Sequence, residues 1–230
     1  MITAVIFDID GTLVDSVDLH AAAWVATFAK YGKTIDFNAV RRQIGKGGDQ
    51  LLPVFFSPEE LQTYGEEMEK YREDLFRRDY LPHVTSFPQT RELFERIRQA
   101  GQHIALASSA KEVELRTYKR LARIEDLLEG ETSADDVQKS KPHPDIFAAA
   151  LKEVGNPPAA DVIVVGDTPY DAEAGGKMHL RTIGVLCGGW SAEELRQAGC
   201  VAIYRDPADL LARYEESPLA KETVTRTVRM

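Results

Sequence analysis

The chain has 230 residues, 43% of them hydrophobic and 28% charged, with a formal net charge of −9 at pH 7. That length holds one large domain, or a core domain with a smaller companion, and the balance is that of an ordinary globular protein. The acidic charge argues against bulk electrostatic binding of nucleic acid, and no apolar run is long enough for a membrane span.

The sequence enters a strand pattern at once. Val5-Ile6-Phe7 leads into Asp8-Ile9-Asp10-Gly11-Thr12, a buried strand that delivers two carboxylates to a turn. In a continuing strand Asp8 and Asp10 would point the same way. Carboxylates about 4 Å apart repel by roughly 4 kcal/mol at an effective dielectric near 20. The pair therefore predicts a cation or a shared proton between them, and chemistry there. No basic leader precedes the strand, so no signal peptide is visible. Cys187 and Cys200 lack CxxC spacing and are expected to be reduced thiols of a cytoplasmic protein.

Residues 16–86 read as helices. Val17, Ala21, Trp24, Phe28 and Tyr31 form an apolar stripe closed by Gly32. Phe37, Val40 and Ile44 begin a second helix that ends at Gly45. Ser57-Pro58-Glu59-Glu60 is a capping box opening a helix to about Tyr80. From residue 90 onward helices alternate with strands. Helices are expected over 90–100, 111–128, 144–154 and 191–197, and strands over 103–108, 161–167, 182–186 and 201–204. Unbroken apolar strands between helices predict an α/β fold: a Rossmann-like parallel sheet covered on both faces, with an inserted α-helical domain. The predicted organisation is a core of residues 1–15 and 87–214, a helical insert of 16–86, and a loosely ordered tail of 215–230.

Asp8 and Asp10, Ser108, Lys141, and Asp167 with Asp171 all sit at strand ends or turns. In a parallel sheet such residues converge on one edge, where ligands bind. Oxygen ligands suit a hard cation such as Mg²⁺. A hydroxyl and an ammonium suit phosphate oxygens, and a carboxylate can act as a nucleophile. Each residue also has a plainer reading. Ser108 precedes a helix and would serve as its N-cap. Lys141 before a proline would be a solvated loop lysine, Asp171 a helix cap, and Lys111 a surface helix residue.

These segments resemble the haloacid dehalogenase superfamily, in its phosphatase and phosphomutase branch. Asp8-Ile9-Asp10-Gly11-Thr12-Leu13 is similar to the DxDGT motif, Ser108 to the second motif and Lys141 to the third. Gly166-Asp167-Thr168-Pro169-Tyr170-Asp171 is similar to the fourth, GDxxxD. The resemblance covers most of residues 1–210 and implies a helical cap between the first and second motifs. It further implies that Asp8 attacks phosphorus and that Asp10 protonates the leaving oxygen, then activates water. Mg²⁺ would be held by Asp8, the Asp10 carbonyl and Asp167, with Asp171 contributing from behind or through a water. Ser108 and Lys141 would grip phosphate oxygens, and Lys141 would offset the charge of Asp8.

The presence of Asp10 disfavours the dehalogenase and phosphonate-cleaving branches that the resemblance also brings to mind. His20 reads either as a structural histidine or as a group acting on Asp10. Ile44-Gly45-Lys46-Gly47-Gly48-Asp49-Gln50-Leu51 reads as a substrate loop of the cap, with Lys46 meeting an anionic group and glycines such as Gly47 letting the backbone approach a ligand, or as a plain helix–helix turn. Mutases of this family carry an arginine at about the position of Gly48, which weakens that alternative. The expected activity is a Mg²⁺-dependent phosphatase acting on a small phosphorylated metabolite. The alternatives are a sugar phosphomutase and a non-catalytic phosphate-binding regulator. Neither nucleic acid nor membrane is an expected partner, and the oligomeric state is open.

Overall fold

The computed structural model describes residues 1–133 and 139–220. Its centre is a six-stranded parallel sheet built from β1 (Ala4–Phe7), β4 (His103–Ala107), β5 (Gly130–Thr132), β6 (Val162–Gly166), β7 (Arg181–Val185) and β8 (Cys200–Tyr204). The spatial order is β5-β4-β1-β6-β7-β8. The first strand is thus central, with β4 on one side and β6 on the other.

Alternation along each central strand explains how both faces are covered. Val5 and Phe7, Ile104 and Leu106, and Ile163 and Val165 join one apolar cluster. That cluster includes Leu93, Phe94 and Ile97 of α5 (Thr90–Gln99) and Leu115 and Tyr118 of α6 (Glu112–Ala122). Ala4 and Ile6, Ala105 and Ala107, and Val162 and Val164 face the opposite way. They meet Ile146, Phe147 and Ala150 of α7 (Asp145–Glu153) and Ala174 of α8 (Pro169–Lys177). Period-two side chains that are apolar on both faces are what a sandwiched parallel sheet requires.

Two short strands, β2 (Val14–Asp15) and β3 (Thr85–Ser86), pair antiparallel and form a stem. Between them lie α1 (Val17–Lys30), α2 (Phe37–Arg41), α3 (Gly48–Leu51) and α4 (Pro58–Leu75), the last continuing as a π-helical turn to Tyr80. This insert has an apolar cluster of its own, containing Trp24, Phe28, Val40, Phe56 and Met68. The Ser57 capping box forms as the sequence predicts.

Three expectations change. The helix expected over 111–128 stops at Ala122, because Arg123 adopts a left-handed conformation (φ 56°) and a single helical turn follows. The second helix of the insert ends at Arg41 rather than reaching Gly45. The tail expected to be loose from residue 215 is packed as far as the description extends. Leu219 is buried in the larger cluster, and the Ser217 hydroxyl is enclosed and donates to the Tyr214 carbonyl at 2.6 Å. Residues 221–230, the rest of that expected tail, lie outside the described residues. The last helices are α9 (Ala192–Gln197) and α10 (Pro207–Ala212). Cys187 and Cys200 are free thiols. Among the described residues no helix is long and apolar enough to cross a membrane.

Candidate active site

Asp8 follows β1, Ser108 follows β4 and Asp167 follows β6, so three adjacent strand tips bring these residues to one edge. It is the edge beside the reversal of strand order, where open α/β sheets bind ligands.

Asp8 is buried. Its Oδ1 accepts from Lys141 Nζ at 2.5 Å, and Thr12 Oγ1 lies 3.1 Å from its Oδ2. Lys141 is fully enclosed, and its ammonium also donates to the Ala107 carbonyl at 3.0 Å and lies 2.8 Å from Asp171 Oδ1. It thus makes two hydrogen bonds, to Asp8 and Ala107, and an ion pair with Asp171. Thr12 Oγ1 is also 3.1 Å from Asp167 Oδ1, so one hydroxyl proton serves two carboxylates in turn. Asp171 is the N3 residue of a capping box on α8, its Oδ2 accepting from the backbone and side chain of Thr168.

Asp8, Asp167 and Asp171 place one carboxylate oxygen each within 4.8 Å of one another. Burial pushes the Asp8 carboxyl up to about 7, with Asp171 and Asp10 adding to the shift and Lys141 opposing it. Burial, with Asp8 and Asp171 nearby, raises Asp167 well above the usual range. For Lys141, burial works against the charge but is outweighed by Asp171 and Asp8, so the ammonium stays protonated. One ammonium among three carboxylates leaves two negative charges when all are ionised. Asp167 Oδ2 is buried with no hydrogen-bond partner. An orphaned carboxylate oxygen in an anionic, oxygen-only cluster fits a hard divalent cation.

Asp10 does not extend this cluster. The strand ends at Phe7, so the same-face rule no longer applies, and the Asp10 carboxylate turns toward the insert. Its Oδ1 accepts from Ser16 Oγ at 2.6 Å and contacts His20 Nε2 at 2.9 Å. His20 is stacked on Phe76, with ring centroids 4.0 Å apart. Its Nδ1 contacts a guanidinium nitrogen of Arg72, which can only donate. Nε2 faces Asp10 Oδ1 and, at 3.0 Å, the Tyr118 hydroxyl. Burial is the largest influence on Asp10 and opposes ionisation. His20, Ser16 and Arg72 outweigh it and hold the carboxyl below its ordinary value.

A cavity of about 530 Å³ opens over Asp8 and Asp10, between the sheet edge and the insert. Ser109, Lys111 and Ser140 line it from the core side, so Lys111 is a cavity residue rather than the surface residue its sequence suggests. Ser108 lies beneath. It is fully buried, its Oγ accepts from the Ala110 N–H at 3.0 Å, and the N-cap of α6 is Lys111 instead. Lys46 lines the cavity but is engaged, donating to Gln43 Oε1 at 2.6 Å with Nζ 4.7 Å from the Tyr170 ring centre. Gly47 approaches the core: its N–H donates to Ser140 Oγ at 2.8 Å, and a Cβ there would sit 2.6 Å from that oxygen. Asp49 accepts from both the N–H and the hydroxyl of Ser140. Sequence reasoning placed Asp49 in the substrate loop but gave no site role to Arg72, Glu114 and Tyr118, whose partners lie in distant segments.

The model of the family described as haloacid dehalogenase-like hydrolase matches residues 5–185, a span that contains every strand tip described above. The chain belongs to that family. Over 191 residues this haloacid dehalogenase-like hydrolase is 29% identical to Protein SUPPRESSOR OF QUENCHING 1, chloroplastic, of Arabidopsis thaliana. That match covers 80% of this chain but 18% of the plant protein, so the chain corresponds to one part of it. It is 27% identical over 209 residues to the phosphorylated carbohydrates phosphatase of Thermotoga maritima, covering 90% of this chain and 96% of that protein. A solved hydrolase from Pseudomonas syringae is similar with a TM-score of 0.82 and 28% identity, covering 93% and 98% of the two chains.

Proposed function

We propose that this hydrolase is a Mg²⁺-dependent phosphatase that cleaves small phosphate monoesters through an aspartyl phosphate on Asp8. The observation that carries the reading is the separation of the two aspartates. Asp8 is tied to Lys141 within an anionic cluster, whereas Asp10 is tied to His20, and both border one cavity. The phosphatase relative and the family match support the reaction class.

Asp8, Asp167 and the backbone of Asp10 would hold the metal, with Asp171 behind them fixing Lys141. The metal would neutralise phosphate charge and lower the repulsion between phosphate and nucleophile. The Asp8 carboxylate forms a bond to phosphorus while the bond from phosphorus to the ester oxygen breaks. Asp10 delivers a proton to that oxygen. The negative phosphate raises the proton affinity of Asp10 above that of the empty site, which permits this step. Once ionised again, Asp10 takes a proton from the water that attacks phosphorus and frees Asp8. Residues 16–86 act as the cap, and their docking through Gly47, Asp49 and Ser140 excludes bulk water during the first step. Lys141 anchors the nucleophile, and phosphate contact from Ser109 and Lys111 fits the cavity wall better than contact from the enclosed Ser108.

The test is phosphate release from a panel of monoesters with Mg²⁺, with EDTA and with the Asp8→Asn variant. Release that needs both Mg²⁺ and Asp8 is expected. Release that survives either change overturns the mechanism, and no release from any ester overturns the activity.

A further inference from the structure

Resting on that phosphatase reading, we infer that Glu69 is a specificity-determining residue that selects leaving groups ending in hydrogen-bond donors and rejects those ending in a second anion.

Glu66, Glu69 and Glu73 stand at i, i+3 and i+7 of α4, on one face of the helix, and all three line the cavity over Asp8 and Asp10. Glu69 lies against Gly48. A Cβ at position 48 would sit 2.2 Å from its Oε1, so the carboxylate tip occupies space that a larger residue 48 would share, and it would have to move. The half-buried Glu69 carboxyl is raised by burial, and further by Asp49 and Glu66, against the opposing influence of Lys111 and Arg72. Its surroundings are already rich in negative charge, and a further phosphate or carboxylate there adds repulsion.

Two of the neighbouring cations have partners of their own, Arg72 with only its Nε left unpartnered. The Arg72 guanidinium is held by His20 and by Glu114, 3.4 Å away. The Lys46 ammonium is held by Gln43 and the face of Tyr170. A hydroxyl or an ammonium on the leaving group, by contrast, supplies the protons that these carboxylates accept. The chemistry recognised is thus a monophosphate of a polyol or amino alcohol, singly anionic in the sense that its phosphate is its one acidic group.

The experiment measures kcat/KM for two pairs that differ only at the far end of the leaving group. These are glycerol 3-phosphate against 3-phosphoglycerate, and glucose 6-phosphate against glucose 1,6-bisphosphate. The wild-type enzyme is expected to favour the hydroxyl-ended member of each pair at least tenfold. Glu69→Gln, which keeps the size and removes the charge, is expected to narrow that ratio about tenfold. Glu69→Lys is expected to narrow it further or invert it, and thermal melts establish that both variants fold. Asp8-dependent release with equal kcat/KM within the wild-type pairs overturns the inference and leaves the phosphatase reading standing. An unchanged ratio in folded Glu69→Gln does the same. No release from any of the four compounds overturns the inference, and the phosphatase reading falls with it when the wider panel of monoesters is silent as well.

Discussion

Asp8 and Asp10 are two residues apart, yet they are held from opposite sides. Lys141 of the core lies 2.5 Å from Asp8, and His20 of the insert lies 2.9 Å from Asp10. The two carboxyls are pushed in opposite directions, Asp8 up to about 7 and Asp10 below its ordinary value. Environments that separate two like groups in this way suit them to different roles.

The raised carboxyl makes metal binding depend on pH. Asp8 ionises at about 7 in the folded, metal-free protein against 3.8 ordinarily, so the folded state holds an extra proton between those values. By linkage, the stability this contributes is full below about 3.8 and is lost as pH rises through about 7. A cation must displace that proton. The Tm increment produced by saturating Mg²⁺ is therefore expected to grow from pH 5.5 to pH 8, as read by thermal melts with and without EDTA. An increment independent of pH would contradict it.

Asp10 and His20 differ in what their removal does. Asp10→Asn is expected to lower kcat by about 10²-fold or more, the range of general acid–base catalysis. His20→Ala is expected to lower kcat less and to move the pH-profile limb belonging to Asp10 toward higher pH, since a group that favours its ionised form is gone. A limb that does not move, or that moves to lower pH, would detach His20 from Asp10.

Lys141→Met leaves Asp8 and Asp171 enclosed without their ammonium. Breaking a buried pair by removing one partner costs about 3–5 kcal/mol. Denaturant unfolding in EDTA is expected to show a loss in that range, partly recovered by Mg²⁺. A loss below about 1 kcal/mol would mean that the carboxylates reorganise without Lys141.

Leu219→Ala tests the packed end of the chain. The side chain is buried among core residues, and such truncations cost about 2–5 kcal/mol. Equilibrium unfolding is expected to show a loss of about 2 kcal/mol or more. A negligible change would restore the reading of a loose tail from residue 215.

Much of the site was legible because the sheet writes its active edge into the chain. Asp8 and Asp167 each end an apolar run, and Lys141 precedes Pro142 just before a helix. Such local signals survive reading one residue at a time. The strand β5 was missed because Gly130-Glu131-Thr132 has no apolar run, being a short edge strand that is only partly buried. Ser108 follows β4, as the apolar run before it suggests, but it is enclosed, and its neighbour Ser109 is the one that lines the cavity. Glu69 and Arg72 were illegible for a different reason. Charged residues three or four apart on a long helix look like a solvated face, and only the docking of α4 over β1 makes them the wall of a cavity.

The position of β1 also has a consequence for how the protein is made. Of the strands of the sheet it is the first to be made, yet it lies between β4 and β6, and its partner β6 starts at residue 162. Until then one edge of this wholly apolar strand has no hydrogen-bonding neighbour, and unpaired strand edges are prime sites of aggregation. A nascent chain arrested before Asp167 would carry Asp8 without the other carboxylates of its cluster. The carboxylate cluster would thus come together only when the sixth strand slots in beside the first.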